Sequence, residues 1–152
     1  MAFATRLDYG TAPATAASPD GSAAFPIGMA AAPLPIGATQ VAGSSGVVSA
    51  ASAVATLTSA AARTAYLTSF SVSGLGATSA AMATVTITGL LGGTINFAYP
   101  VPAGVGVAGP PMSVSFPSPL PASAVNTNIV ITVASFGTGN VGAAVMATGY
   151  LI

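Results

Sequence analysis

The sequence predicts an all-β fold, an antiparallel β-sandwich or barrel preceded by an extended N-terminal arm. Three observations predict it. Several short runs alternate apolar residues with Ser or Thr, the period of two that a half-buried strand requires. Gly- and Pro-rich clusters separate those runs at the spacing of strand connections. The first 45 residues differ from the rest: Pro13, Pro19, Pro26, Pro33 and Pro35 recur there with Gly10, Gly21, Gly28 and Gly37. Proline fixes φ and has no amide donor, so residues 1–45 are neither helix nor central strand.

The arm nevertheless carries Phe3, Leu7, Tyr9, Phe25, Ile27, Met29, Leu34 and Ile36. These are apolar anchors, unlike the polar, charged composition of a solvated tail. The expectation is an extended arm over residues 1–45 that lies along its own domain or a neighbour, followed by a β-domain over residues 46–152.

Strand signals follow in order. Val47–Thr58 mixes Ala with Val and Thr and is read as a strand. Tyr66, Thr68, Phe70 and Val72 alternate with Leu67, Ser69, Ser71 and Ser73, and Gly74 and Gly76 end that run. Ala83, Val85 and Ile87 alternate with Thr84, Thr86 and Thr88; Gly92-Gly93 then leads into Ile95, Phe97 and Tyr99. A Gly-Gly pair between two alternating runs is a tight-turn signal, so Ala83–Leu90 and Thr94–Tyr99 form the clearest hairpin. Pro100–Pro111 reads as a loop, and Met112, Val114 and Phe116 as a strand. Phe116-Pro-Ser-Pro-Leu-Pro121 reads as a stiff extended connection. Ile129, Ile131 and Val133 mark another strand, Gly137-Thr-Gly-Asn140 a turn, and Val141–Tyr150 the last strand.

The composition restricts function sharply. The 152 residues hold two Arg (Arg6, Arg63), two Asp (Asp8, Asp20), and no Lys, Glu, His or Cys. Charged residues make up 3 % of the chain and hydrophobic ones 53 %, against about a quarter charged in ordinary soluble domains. Serine nucleophiles need a neighbouring base, and no His, Lys or Glu exists to supply one. Metal ligation lacks His and Cys. Net charge is zero, which gives no field to attract nucleic acid or an anionic membrane. The mean hydropathy of +0.83 comes from dispersed Ala and Val, and no run approaches the ~20 apolar residues of a membrane helix. No secretory signal is expected, because no basic segment precedes an apolar one. The expectation is a non-enzymatic structural subunit with no cofactor, much of whose surface other subunits cover.

Few motifs call for a chemical reading. Gly104-Val-Gly-Val-Ala-Gly109 matches the dinucleotide-binding pattern, but that pattern works only between a strand and a helix. Pro100, Pro102, Pro110 and Pro111 flank it, so it reads as a loop. Pro19-Asp20-Gly21 reads as a turn. Arg6 either pairs with Asp8 or anchors the arm to a partner; Arg63 is either a subunit contact or a solubilising edge residue. Phe3, Arg6, Leu7, Tyr9 and Arg63 are the candidate partner-binding residues. Asn126-Thr-Asn128 forms no glycosylation sequon.

Four segments, Tyr66-Leu-Thr-Ser-Phe-Ser-Val-Ser-Gly-Leu-Gly76, Ala83-Thr-Val-Thr-Ile-Thr-Gly-Leu-Leu-Gly-Gly93, Phe116-Pro-Ser-Pro-Leu-Pro121 and Ala147-Thr-Gly-Tyr150, give residues 47–152 a texture that resembles the jelly-roll capsid cement (decoration) proteins of tailed bacteriophages. That resemblance implies a jelly-roll-like antiparallel β-sandwich on the outer surface of a virion capsid, bound to the major capsid protein and to copies of itself. It implies no nucleic-acid, membrane or small-molecule partner. Other readings are a head-fibre base or tail component, a bacterial surface or adhesin β-domain, and a ligand-binding module or enzyme.

Overall fold

The computed structural model describes residues 34–152, and Pro35–Ile152 forms one compact unit. Those residues fold into eight strands with no helix: β1 (Thr39–Ser44), β2 (Ala53–Leu57), β3 (Ala65–Gly74), β4 (Ala81–Thr88), β5 (Ile95–Val101), β6 (Met112–Pro121), β7 (Ile129–Val133) and β8 (Ala143–Leu151). They make two four-stranded sheets, ordered β1-β8-β3-β6 and β2-β7-β4-β5. Every pairing is antiparallel: β1 with β8, β2 with β7, β3 with β6 and β8, β4 with β5 and β7. Residues 39–151 thus form one long hairpin, folded at the β4–β5 turn and rolled so that the strands on either side of that turn alternate between sheets. This is jelly-roll order, and the fold is the expected antiparallel β-sandwich.

The predicted hairpin is the tip of that roll. β4 meets β5 in unbroken register from Ala81↔Val101 to Ile87↔Ile95. Gly93 closes the turn at φ 90° and donates its amide to Leu90 O at 3.1 Å, a backbone conformation that glycine adopts without steric cost.

Three segments depart from the sequence reading. Residues 39–44, read as arm, form edge strand β1, because Val41 and Gly43 face the core and the backbone pairs fully with β8. The Val47–Thr58 run is two pieces. Val48 bridges to Ala143 in one sheet, whereas Ala53–Leu57 pairs with β7 in the other. Between them Ala50 takes φ 49° as the chain crosses from sheet to sheet. Finally, Phe116–Pro121 is no free connection but the second half of β6. The edge position tolerates its prolines, since an edge strand has one unpaired side.

The β3 alternation also changes phase. Leu67 pairs with Gly149 and Ser69 with Thr148, so Thr68 is an extra residue, a β-bulge. Before it Ala65 and Leu67 point inward; after it Phe70 and Val72 do. The bulge is held by hydroxyls: Thr68 Oγ1 donates to Thr148 O at 2.9 Å, and Ser69 Oγ lies 2.7 Å from Thr148 Oγ1.

The core fills the space between the sheets. Leu57, Leu67, Val85, Ile87, Ile129 and Ile131 are wholly buried. Phe70 anchors one end of an aromatic group, with ring centroids 5.3 Å from Phe97 and 6.2 Å from Phe116. Tyr99 stacks on Phe136 at 5.1 Å. The core is not sealed evenly: Ile95 and Phe97 of β5 and Val114 and Phe116 of β6 are only partly buried against it.

Candidate interaction surface

Among the described residues Arg63 is the only charged side chain, and no group of His, Cys, Asp or Glu could hold a metal ion. What remains for recognition is hydroxyls, amides, backbone groups and apolar contact. Because strand residues alternate in and out, register fixes which of these each outer face presents.

The outer face of β1-β8-β3-β6 is laid out in cross-strand rows. Ser44, Met146, Ser71 and Ser113 form one; Ala42, Thr148, Ser69 and Ser115 another. The row Gln40, Tyr150, Tyr66, Pro121 ends the face, with the two tyrosine rings stacked at 5.0 Å. Burial pushes the Tyr150 phenol above the usual value of 10.0, and repulsion from Tyr66 adds to that. On β2-β7-β4-β5 the outward residues include Val54, Thr132, Thr86 and Asn96 in one row and Thr84 beside Ala98 in the next. Both faces are therefore neutral, and small side chains dominate them apart from Gln40, Val54, Met146 and the Tyr66–Tyr150 pair. A partner that packs on them buries no charge, and so escapes the desolvation cost that charged faces carry.

The candidate residues divide in two. Phe3, Arg6, Leu7 and Tyr9, and the Asp20 turn, lie outside the described residues. Arg63 is half-buried and its guanidinium serves the fold. Nη1 donates to Gly37 O at 3.0 Å, to Thr39 Oγ1 at 3.2 Å and towards Leu151 O at 3.5 Å. It ties the turn that leads into β1 to the end of β8. The two asparagines around Thr127, weighed in the sequence only as a sequon, do similar work. Asn126 Oδ1 accepts from the Ala62 amide at 2.8 Å, and Asn128 Oδ1 from the Ser59 amide at 2.8 Å and hydroxyl at 3.0 Å. They brace the β2–β3 loop against the β6–β7 loop. A polar side chain beside a turn was the available signal, but the sequence does not say which turn it faces.

Two buried polar groups lie towards the opposite end. Asn140 is 2 % exposed; its Nδ2 donates to Leu75 O and to Gly142 O, while Oδ1 has no protein partner. The Tyr99 hydroxyl is likewise buried without a partner, and burial raises its pKa above the usual 10.0. Near Asn140 an open apolar groove of about 340 Å³ is lined by Val47, Leu75, Val141, Gly142, Ala143 and Ala144, and Val47 is 78 % exposed at its rim. The Gly104–Gly109 segment is a loop, with Gly104 and Gly106 at φ 111° and 81°. It packs back on the β3 end through Gly76 N to Val107 O at 2.6 Å and Gly104 N to Ala77 O at 2.7 Å. No helix follows it that could present amides to a phosphate.

No family model and no curated protein matches this sequence. Among solved structures, part of an exo-beta-1,3-galactanase from Phanerochaete chrysosporium, crystallised with beta-1,3-galactotriose, is similar at 15 % identity and a TM-score of 0.33. The match takes in 74 % of this chain and 26 % of that one, so this chain spans about a quarter of that protein's length. At that score the likeness transfers neither the activity nor the sugar to this chain.

Proposed function

We propose that this chain is a non-enzymatic structural protein of a virion, a capsid cement protein that binds the outer surface of a phage head and stabilises the shell. Its partners on this reading are the major capsid protein and further copies of itself. The observation that supports it most is the pair of uncharged outer faces on a jelly roll whose one charged side chain, Arg63, is occupied within the fold. Small Ser, Thr and Ala side chains let a flat partner approach closely, and many weak neutral contacts gain strength when copies repeat over a shell.

The test is sedimentation of the protein from its native source, with copy number measured by mass spectrometry. Co-sedimentation with a particle at hundreds of copies is the expected result. A handful of copies per particle would move the reading to a fibre base or tail part. Recovery as a free species, or anchored to a bacterial surface, would overturn the virion reading.

A further inference from the structure

The four edge strands are not equally protected. β1 and β2 flank the same side of the sandwich and cross closely there: a Cβ on Gly43 would fall on the Thr56 carbonyl. β6 keeps regular register with β3 over Met112–Ser115, then is interrupted opposite the Thr68 bulge and carries Pro117, Pro119 and Pro121. Short runs, bulges and prolines are the usual means of blunting an edge. β5 has seven residues in continuous register, no charge and no bulge, and its single proline, Pro100, comes only at its last position but one.

The direction of its free backbone groups follows from the ladder. Thr84 O accepts the Ala134 amide at 2.9 Å on the β7 side of β4. Alternate residues of an antiparallel strand turn N–H and C=O to opposite sides, so Ala83 and Val85 face β5 and bond Tyr99 and Phe97. Asn96, Ala98 and Pro100 therefore turn their backbone outward. Pro100, opposite Met82, leaves the ladder intact for that reason. Asn96 and Ala98 are exposed, and among the described residues no strand pairs with this edge.

We infer that β5 pairs with β5 of a second copy, antiparallel about a two-fold axis at Phe97, to make one continuous eight-stranded sheet. In that register Asn96 of one copy opposes Ala98 of the other, each pair exchanging two N–H···O bonds, and neither pair needs the donor that Pro100 lacks. A register centred on Ala98 would place Asn96 opposite Pro100 and forfeit a bond at each end. On the inner side Phe97 meets Phe97 and Ile95 meets Tyr99, which covers the two side chains of β5 that its own sandwich leaves half-exposed. A second copy suits the edge because the edge is self-complementary in donors and acceptors, and neither side brings a charge. The inference does not rest on the virion reading.

The chain contains no cysteine, so placed thiols report cleanly. Full-length Asn96→Cys and Ala98→Cys chains are mixed under mild oxidation, and each is also oxidised alone. A disulfide-linked dimer in the mixture, absent from either variant alone, is the expected result. Cross-linking of Ala98→Cys or Asn96→Cys alone, or no cross-link in the mixture, overturns the register. In parallel, sedimentation velocity over a concentration series compares the native chain with Ala98→Pro, which removes only an outward amide. The dimer constant should weaken at least about tenfold, as expected for two lost hydrogen bonds. A native chain that stays monomeric, or association that Ala98→Pro leaves unchanged, overturns the pairing itself. Loss of assembly on a particle with the β5 dimer intact would count against the cement reading alone.

Discussion

The two long sides of the sandwich are built differently. On the β1–β2 side the sheets come together until backbone meets backbone, and glycine makes that approach feasible: a Cβ on Gly43 of β1 would fall on the Thr56 carbonyl of β2. On the β5–β6 side the sheets stand apart around Ile95, Phe97, Val114 and Phe116, all half-covered. One side has solved its edge problem inside the chain. Among the described residues the other leaves aromatic area and backbone donors uncovered. In a chain with almost no charge, that contrast separates a face that stabilises the monomer from a face available for assembly.

The contrast can be broken most directly at the glycines. Gly43→Ala should cost at least about 3 kcal/mol, since its Cβ falls on the Thr56 backbone, which cannot rotate away. Gly149→Ala, whose Cβ falls on the Tyr66 carbonyl of the neighbouring β3, should be of similar size, whereas Gly92→Ala, whose Cβ meets nothing within 4 Å, should stay within about 0.5 kcal/mol. Urea unfolding of the three variants reads this directly, and equal costs at all three positions would remove the closed side from the argument.

Core truncations sharpen the comparison next. Ile131→Ala, wholly buried between the sheets, should lose about 2–5 kcal/mol. Phe97→Ala removes more atoms but from a half-covered site, and measured on dilute protein it should lose less than Ile131→Ala. The reverse order in thermal or urea unfolding would mean the β5–β6 side is as well packed as the other.

Arg63→Ala should cost about 1 kcal/mol. Charged hydrogen bonds contribute more when buried, and this guanidinium is partly exposed. Its effect should show as faster amide exchange at Thr39–Ser44, because the entry to β1 loses its tie. Uniform exchange across both sheets would contradict that role.

The smallest effect is that of pH. Tyr99 and Tyr150 have raised pKa values in the fold. A raised value means the unfolded chain loses these protons first. Their contribution is complete below the unfolded value near about 10 and disappears as pH climbs through the folded values. Unfolding midpoints should therefore be level from about pH 5 to 9, where neither Asp nor Tyr titrates, and should drop above about pH 10. A step near neutrality would require a titrating side chain that this sequence does not contain.

Much of this architecture was legible in the residues. Alternation located β3, β4, β5, β7 and the first half of β6, and Gly92-Gly93 located the hairpin at the tip of the roll, because a period of two and a turn residue are local properties. Strand β1 was not legible, since Thr39–Ser44 has one clear apolar residue, Val41, and its identity as a strand comes from pairing with β8, more than a hundred residues away. The bulge at Thr68 was hidden for the same reason: Tyr66 and Leu67 are both apolar, and only Gly149 and Thr148 on the partner strand decide which one turns inward. The prolines of β6 read as a connection because the sequence does not reveal which strands are edges. Of the candidate partner-binding residues, Arg63 proved to hold β1 in place, while Phe3, Arg6, Leu7 and Tyr9 lie outside the described residues.

By itself, then, the sequence determined the class of fold, through residue-by-residue alternation, and an uncharged surface, through composition. Neither depends on what lies far along the chain. Tertiary structure alone decided the order of the strands, the phase of β3 and which strands stand at the sheet edges, because each is a relation between segments distant in sequence, and hydrogen-bond partners across a sheet leave no mark on the local pattern of either strand.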